Sequence, residues 1–265
     1  MNAVHEVPAV RDLLRLGGST ALVTGASGNI GRGIARRLAE AGAAVAVHYS
    51  SGREAAGQLV REIEDAGGEA ISVKADLKSV FSTARMFSKL EENDWPLDLV
   101  VNNAAVQPVE PLADISPQDW QHVLSANLES AFLVSRQARA SLAERNAAGA
   151  IVNVASIEGL DPAAGHAHYA CSKAGLLMFT RAAALEYGGD GIRVNAVSPG
   201  LIDRPGLQDD WPDGVARWQE KAPLGRLGLP GDVADAVLFL LSPAARWISG
   251  ANLVVDGGMS AVPRW

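Results

Sequence analysis

Residues 20–31 read T-A-L-V-T-G-A-S-G-N-I-G, and this stretch decides the fold. A short apolar run leads into a turn with glycines at positions 25, 28 and 31. Glycine lets the backbone approach a pyrophosphate closely, and a helix that starts after the turn offers free N–H groups and the positive end of its dipole. A strand, a glycine turn and a helix in this order predict a dinucleotide-binding βαβ unit.

The rest of the chain repeats the alternation of strand and helix. Periodicity predicts strands at 20–23, 44–48, 70–74, 97–101, 151–155, 193–197 and 252–255. It predicts helices at 32–41, 53–66, 79–92, 116–142 and 232–241, and one that contains Tyr169 and ends near residue 187. This pattern predicts an α/β chain with a single-domain Rossmann-like doubly wound fold, in which a parallel sheet of about seven strands carries helices on both faces.

No linker or internal repeat divides the chain. Residues 1–16 are expected to form an N-terminal arm, and residues 17–265 one NADP-binding catalytic domain. Residues 201–224 are rich in proline and glycine and contain two tryptophans. We interpret this segment as a mobile substrate lid with one short helix.

Composition excludes several classes of protein. The 265 residues carry a net charge of −7, which argues against nucleic acid and anionic membranes as partners. Cys171 is the only cysteine, and the five histidines show no metal-ligand spacing, so no metal site is expected. No apolar run is long enough to span a bilayer, and the first residues do not resemble a secretory signal. We expect a cytoplasmic protein.

A second stretch, residues 156–173, carries the candidate chemistry. Tyr169 and Lys173 are four residues apart, which places both on one face of a helix. A neighbouring cation is expected to lower the pKa of the tyrosine toward the range of acid–base catalysis. Ser156 ends an apolar strand and could hydrogen-bond a substrate carbonyl. A surface pair without function is the alternative for an isolated Tyr-x-x-x-Lys.

The end of the second strand predicts the cofactor. An acid there would bind a ribose 2′-hydroxyl and repel a 2′-phosphate, but none occurs before Glu54. Ser50 and Ser51 can donate hydrogen bonds, and Arg53 can pair with a phosphate. These residues favour NADP(H). An ordinary exposed position at the start of a helix is the alternative for Arg53.

Together these motifs resemble the short-chain dehydrogenases/reductases, in their single-domain branch. The resemblance covers nearly the whole chain. It rests on the glycine turn and on Asp76-Leu77, Asn102-Asn-Ala-Ala105, Asn127, Ser156, Tyr169-x-x-x-Lys173, Asn195-Ala-Val-Ser-Pro-Gly200 and Val255-Asp-Gly-Gly258.

The resemblance implies roles at the matching positions. Tyr169 would be the general acid in reduction and the base in oxidation, Lys173 would lower its pKa and hold the nicotinamide ribose, and Ser156 would polarise the carbonyl. Asn127 would hold a water in a proton relay. The expected cofactor-binding residues are Gly25, Ser27, Gly28, Asn29, Ile30, Gly31, Tyr49, Ser50, Ser51, Arg53, Asp76, Leu77, Asn103, Ala104, Ala105, Tyr169, Lys173, Pro199, Gly200 and Ile202. For Asp76, capping of the next helix is the alternative.

The chain departs from the family pattern at three positions. Asn29 occupies the middle glycine position of the turn, and Ala105 replaces a glycine. Arg204 stands where the family often has a threonine that binds the carboxamide, so it could bring a cation near the substrate. Other candidate substrate contacts are the residues 107–109, Glu158, Gly159, Leu160, His166, His168 and the lid residues Trp211 and Trp218.

The predicted function is NADPH-dependent reduction of a small-molecule ketone. We interpret the substrate as a ring ketone of an aromatic polyketide, reduced as in angucycline C-6 ketoreduction. A 3-oxoacyl-carrier-protein reductase and a sugar dehydrogenase are the alternatives. A non-catalytic NADP-binding regulator is a remote one, because such proteins typically lose the tyrosine or lysine. The resemblance further implies a homotetramer or homodimer.

Overall fold

The computed structural model describes residues 8–262 and contains one sheet of seven parallel strands in the order β3-β2-β1-β4-β5-β6-β7. The strands are β1 Thr20–Val23, β2 Ala44–Tyr49, β3 Glu69–Lys74, β4 Leu99–Asn102, β5 Gly149–Val154, β6 Ile192–Pro199 and β7 Asn252–Val255. The predicted doubly wound fold with a seven-stranded parallel sheet is therefore confirmed.

The helices connect successive strands. They are α1 Asn29–Glu40, α2 Arg53–Asp65, α3 Val80–Glu92, α4 Pro117–Leu124, α5 Ser130–Glu144, α6 Ala167–Tyr187, α7 Leu207–Asp210, α8 Pro212–Lys221 and α9 Pro230–Leu241. Helix α1 begins at Asn29, three residues before the predicted start, because Gly28 already acts as its N-cap. Residues 29–31 of the glycine turn therefore form the first turn of the helix.

Two hydrophobic clusters lie on the two faces of the sheet, because successive side chains of a strand point to opposite faces. Ala21 and Val23 of β1 belong to the cluster that contains the buried residues of α1, α2 and α9. Leu22, between them, belongs to the cluster that contains those of α3 and α5. All three are fully buried.

Strand order reverses at β1, which pairs with β2 on one side and β4 on the other. In an open parallel sheet, the connections after these strands leave in opposite directions and open a crevice at the carboxyl ends of the strands. The glycine turn after β1 and residues 103–106 after β4 both lie at this edge. The fold therefore forms the expected ligand-binding crevice.

The predicted helix at 116–142 is interrupted. The chain runs from α4 through a π-helical segment, Ser125–Glu129, into α5. Ser116 caps the N-terminus of α4, since its side chain accepts a hydrogen bond from the backbone N–H of Asp119. The π segment widens the helix at Asn127, which is buried.

The lid contains two helices, α7 and α8, so the prediction of one short helix was wrong. Pro212 occupies the first turn of α8, where proline favours the start of a helix and does not break it. Leu207, Val215 and Leu227 form a small hydrophobic cluster of their own, against which Leu201 and Trp218 pack.

The described part of the arm, residues 8–16, packs on the domain. The backbone N–H of Leu16 donates to the Ala41 carbonyl at 2.8 Å, and the Leu13 carbonyl accepts from Ala244 at 3.0 Å. Residues 1–7 of the predicted arm lie outside the described residues. Across residues 8–262, none of the helices is long and apolar enough to cross a membrane.

Candidate active site

Ser156 and Tyr169 meet at the carboxyl end of β5. Ser156 follows this strand, and Tyr169 lies in the first turn of α6. Burial of the Tyr169 hydroxyl raises its pKa to about 12. Ser156 lowers this pKa and the Glu158 charge raises it, but both effects are smaller than that of burial. The expectation of a lowered pKa is therefore wrong for the ligand-free protein, because desolvation penalises the phenolate. At neutral pH Tyr169 keeps its proton.

Lys173 lies one turn after Tyr169, as predicted. Its ammonium donates to the Val154 carbonyl at 2.7 Å and lies 5.6 Å from the centroid of the Tyr169 ring. Burial lowers the pKa of Lys173 to about 8, so the side chain remains mostly charged at neutral pH. A single hydrogen bond to Val154 leaves ammonium donors available for a ligand.

Asn127 connects the loop after β4 with α6. Its Oδ1 accepts from the Val106 N–H at 2.8 Å, while its Nδ2 donates to the Val106 carbonyl at 2.9 Å and to Ser172 Oγ at 3.1 Å. The side chain therefore fixes the position of residue 106 relative to the helix of Tyr169. The predicted water relay stays a prediction.

The glycine turn packs tightly against the end of β4. Gly25 has φ +62°, and a Cβ there would lie 2.9 Å from Ala104 Cα. A Cβ on Gly31 would lie 2.5 Å from the Gly25 carbonyl oxygen. The N-cap of α1, Gly28, has no side-chain capping bond, so the helix presents its first N–H groups without a side-chain partner. This arrangement fits a dinucleotide pyrophosphate.

Two residues that the sequence analysis missed hold this turn. The Nδ1 of His48 accepts from the Gly25 N–H at 3.0 Å, and its Nε2 lies 3.2 Å from the Ala75 carbonyl. Thr24 Oγ1 accepts from the backbone N–H groups of Asn103 and Ala104 at 2.9 and 3.0 Å. Burial lowers the pKa of His48 to about 4, so its imidazole is neutral. Its position at the end of β2, beside the turn, was the signal available in the sequence.

The predicted 2′-phosphate site lies on the surface after β2. Ser50, Ser51 and Arg53 are exposed, and Arg53 forms no ion pair with the described residues. Tyr49 is instead buried in the hydrophobic core, so its side chain faces away from solvent. Ser27 of the glycine turn lies close to this loop, since a Cβ on Gly52 would lie 3.0 Å from Ser27 Oγ.

The predicted adenine side combines exposed and buried groups. Asp76 is exposed, and its Oδ1 accepts from the Lys78 N–H at 3.1 Å, so it holds the turn before α3. Leu77 is buried in the core. Asn103 Nδ2 donates to the Thr24 carbonyl at 2.9 Å, which joins the glycine turn to residues 103–105. Ala105 is exposed at the crevice.

The predicted nicotinamide side is formed by the end of β6 and the start of the lid. Gly200 packs against Trp218, because a Cβ there would lie 2.8 Å from the indole. Ile202 is buried in the core, so any cofactor contact would come from its backbone. Asn29 Nδ2 donates to the Asp203 carbonyl at 2.6 Å and links the glycine turn to the lid.

Arg204 does not reach into the crevice as a free cation. Its guanidinium pairs with Asp210 at 2.7 Å and donates to the Pro205 carbonyl at 3.2 Å, so it is held within the lid. The expectation of a cation near the substrate is not supported at this position. In the lid, Trp211 is about half exposed, and the indole Nε1 of Trp218 is buried without a partner among the described residues.

Three polar side chains lie beside Tyr169 on the predicted substrate side. Glu158 Oε1 accepts from Gln107 Nε2 at 2.9 Å, and Glu158 Oε2 lies 2.8 Å from His166 Nδ1. His168, in contrast, is fully buried, and its Nδ1 accepts from the Tyr169 N–H at 3.0 Å. Within residues 8–262, no cluster of three or more His, Cys, Asp or Glu side chains could hold a metal ion.

Comparison with known proteins identifies the family. A family model described as enoyl-(acyl carrier protein) reductase matches residues 25–260. The 3beta-hydroxysteroid dehydrogenase 1 of Eggerthella lenta is 38% identical over 250 residues, which cover 94% of this chain and 96% of that protein. The chain belongs to the short-chain dehydrogenase/reductase family.

Solved structures of short-chain dehydrogenases/reductases superpose closely on this chain. A short-chain type dehydrogenase/reductase from Mycobacterium marinum has a TM-score of 0.89 at 34% identity and covers 95% of this chain and 99% of its own. A gluconate 5-dehydrogenase from Burkholderia cenocepacia J2315, solved with NADP and tartrate, has a TM-score of 0.89 at 30% identity. The match covers 95% of this chain and 99% of the gluconate 5-dehydrogenase. The protein is therefore an oxidoreductase that acts on CH–OH or C=O groups and binds a nicotinamide cofactor.

Proposed function

We propose that the protein is an NADP(H)-dependent oxidoreductase that interconverts a secondary alcohol and a ketone on a ring. The observation that carries this proposal is the buried Tyr169 hydroxyl beside Ser156, with the Lys173 ammonium one helical turn away. The substrate oxygen would accept hydrogen bonds from both hydroxyls. When bound, the nicotinamide exchanges a hydride with the substrate carbon.

The protein residues handle the proton. A pKa of about 12 keeps Tyr169 protonated, so it donates its proton to the substrate oxygen during reduction. The Lys173 ammonium stabilises the phenolate that remains, and its free donors would hold the ribose of a bound cofactor. Ser156 orients the carbonyl. We retain the proton relay through Asn127 as part of this proposal, in which solvent returns the proton to Tyr169.

The preference for NADP(H) is supported by the surface after β2. Positions 49–53 contain no carboxylate, and Arg53 is exposed beside the first turn of α2, where a phosphate is electrostatically favoured. The gluconate 5-dehydrogenase with a similar structure was solved with NADP. The cofactor residues given above would hold the dinucleotide, with Tyr49, Leu77 and Ile202 contributing through their backbone.

The ring substrate is supported by the relatives and by the site. The relative that supports a ring is named for a hydroxysteroid. A structural neighbour is named for gluconate, which is an open-chain sugar acid, and neither name describes a polyketide. An aromatic-polyketide ketone, as in C-6 ketoreduction of angucycline type, remains one candidate within the class. A sugar is the other candidate, and the Gln107, Glu158 and His166 side chains beside Tyr169 suit a polar ring. The description of the matching family model names an acyl carrier protein. The relative and the structural neighbour named above do not, and no side chain described at the site favours a carrier-protein partner or a non-catalytic regulator.

We further infer that the protein acts as a homotetramer or homodimer in the cytoplasm. Leu185 and Met178 lie seven residues apart on α6 and are 84% and 61% exposed. Phe132 of α5 is 41% exposed and packs edge-on against Phe179 of α6 at 6.2 Å between ring centroids. An apolar surface of this kind is typical of a subunit interface.

The proposed function is tested with a panel of substrates. NADPH and NADH oxidation are measured with cyclohexanone, a decalone, a polycyclic quinone ketone, a 3-oxoacyl thioester and an enoyl thioester, and NADP⁺ reduction is measured with glucose. We expect turnover of ring substrates with NADPH and a loss of about 10³-fold in kcat for Tyr169→Phe, because only the proton donor is removed.

Binding of NADPH to the Tyr169→Phe protein, followed by fluorescence, is the control for an intact fold. Turnover of a thioester alone would contradict the ring substrate. If the Tyr169→Phe protein were as active as the wild type, Tyr169 would not be the proton donor.

A further inference from the structure

Three loops bring polar side chains together next to the candidate catalytic tyrosine. Gln107 follows β4, Glu158 follows β5, and His166 is the N-cap residue of α6. The carboxyl ends of β4 and β5 are neighbours, because these strands pair in parallel. Glu158 joins the three side chains, with one carboxylate oxygen 2.9 Å from Gln107 Nε2 and the other 2.8 Å from His166 Nδ1.

The carboxylate determines which nitrogen of His166 carries the proton. A carboxylate accepts hydrogen bonds, so Nδ1 donates its N–H to Glu158. In the neutral imidazole, Nε2 then carries a lone pair. This Nε2 is screened from solvent and has no hydrogen-bond partner among the residues that the structure describes. A buried polar atom without a partner costs free energy, which a ligand would recover if it displaced the covering side chains and hydrogen-bonded Nε2.

The Nε2 atom of His166 belongs to a ring that packs against the ring of Tyr169. The rings of His166 and Tyr169 are 6.2 Å apart between centroids and inclined at 68°. The Glu158 N–H donates to Ser156 Oγ at 3.1 Å, so the turn that positions the serine also positions the carboxylate. The ring of His166 therefore packs against the tyrosine that would hold the substrate carbonyl.

We propose that His166, oriented by Glu158 and Gln107, is a specificity-determining residue that accepts a hydrogen bond from a substrate hydroxyl next to the reacting carbon. This inference rests on the proposed function and names its substrate class, a neutral ring that carries a hydroxyl beside the ketone or alcohol. The Glu158 carboxylate is half-buried in the same cluster and would repel an anionic group at that position. A hydroxyl donor suits the lone pair of Nε2.

The test compares 2-hydroxycyclohexanone with 2-methoxycyclohexanone, which has a similar shape but lacks the hydroxyl donor. For the wild-type protein with NADPH, we expect kcat/KM to be about tenfold or more higher for the hydroxyketone, because the methoxy compound leaves Nε2 unpaired. In the His166→Phe variant, which keeps an aromatic ring but no nitrogen, this ratio should fall close to one. The His166→Gln variant keeps a hydrogen-bonding group and should retain part of the preference for the hydroxyketone.

A purely structural role for His166 would lower kcat/KM for both ketones equally and leave their ratio unchanged. That result would overturn the inference, as would a wild-type ratio of one. Circular dichroism and NADPH binding show whether each variant folds. If the His166→Phe variant does not fold, the His166→Gln and Glu158→Gln variants test the inference. Both should reduce the ratio of kcat/KM for the two ketones, because the first weakens the acceptor and the second misorients it.

A binding measurement separates this inference from the proposed function. Calorimetric titration of trans-cyclohexane-1,2-diol and of cyclohexanol into the NADPH-saturated protein requires no turnover. We expect the diol to bind about tenfold more tightly than cyclohexanol to the wild type and equally to the His166→Phe variant. Absence of turnover with every ring substrate would refute the proposed function, and the titration would then decide the inference. Equal affinities for the two alcohols in the wild type would refute the inference.

Discussion

Burial determines the chemical state of the residues at the candidate centre. Tyr169 and Lys173 are adjacent in the helix, yet the pKa of the tyrosine rises to about 12 and that of the lysine falls to about 8, because both charged forms lose hydration. The tyrosine therefore starts as an acid and the lysine as a cation. A further positive charge, in addition to that of Lys173, would be needed before Tyr169 could act as a base in oxidation.

Arg53 and Ser51 provide a test of the cofactor at the residue scale. We expect Arg53→Ala to raise KM for NADPH about tenfold with little change for NADH, because only the 2′-phosphate loses a charged partner. Ser51→Asp should add repulsion and shift the preference toward NADH. Initial rates with both cofactors check this, and an equal rise in KM for both in Arg53→Ala would show that the arginine does not contact the phosphate.

His48 predicts how stability depends on pH. Its pKa falls from 6.5 to about 4 in the folded protein, so the unfolded chain binds this proton first as the pH decreases. Stability should therefore decrease as the pH falls below 6.5, and the decrease should level off near pH 4. Between neutral pH and the folded pKa, this histidine alone accounts for about 3 kcal/mol of the free energy of unfolding.

A His48→Gln variant tests this effect, because glutamine can hydrogen-bond but does not titrate. Urea unfolding at neutral pH and at pH 4 should show a smaller loss of stability in the variant, by about 3 kcal/mol. Protonation of surface carboxylates affects both proteins and cancels in the difference. An identical pH dependence in both would show that His48 is not the responsible group.

At the scale of single elements, the sequence predicted regular segments better than their interruptions. Strand and helix periodicity identified all seven strands of the sheet, with ends displaced by one or two residues in either direction. The π segment around Asn127 was not predictable, because it depends on contacts with Val106 and Ser172 that are distant in sequence. The hydrogen bond between Glu158 and His166 was not predictable either, because it depends on the conformation of the loop between them.

Gly214 in α8 tests the packing of the lid. A Cβ there would lie 1.9 Å from the Trp211 indole, so Gly214→Ala must displace the ring. We expect a loss of about 1–3 kcal/mol of stability and a shift in tryptophan emission. As a matched control, Gly57→Ala in α2 meets only the flexible end of Arg61 at 3.7 Å, so it should stabilise the protein by about 0.5–1 kcal/mol. Thermal unfolding compares the two, and equal effects would contradict the contact.

At the scale of the whole molecule, the sheet order and both core clusters follow from the alternation of strands and helices. The sequence also located the edge of the sheet where ligands bind, because strand ends can be predicted without side-chain detail. It did not determine pKa values or the partners of Arg204 and Asn29, since these depend on burial and on the course of the lid. Substrate contacts are generally made by loops, whose course periodicity does not predict, so the substrate is the least predictable property.

The assembly proposed above predicts the effect of two charge substitutions. We expect sedimentation equilibrium to show a tetramer or dimer for the wild type. Leu185→Glu should shift it toward monomer, because the substitution introduces a charge into the exposed apolar face of α6. Phe81→Glu on α3, at a residue that is 76% exposed, is the control and should leave the assembly intact. A monomeric wild-type protein would refute the proposal.

The two lid helices pack with Leu227, just after the lid, in a small hydrophobic cluster that is separate from the two clusters on the faces of the sheet. Selection can therefore alter the lid with little cost to the folding of the remainder. Tyr169, Lys173 and Ser156 are anchored in the body, so their chemistry would survive such changes. Under the proposed function, substitutions in the lid would therefore change the substrate during evolution, while the reaction at Tyr169 stays the same.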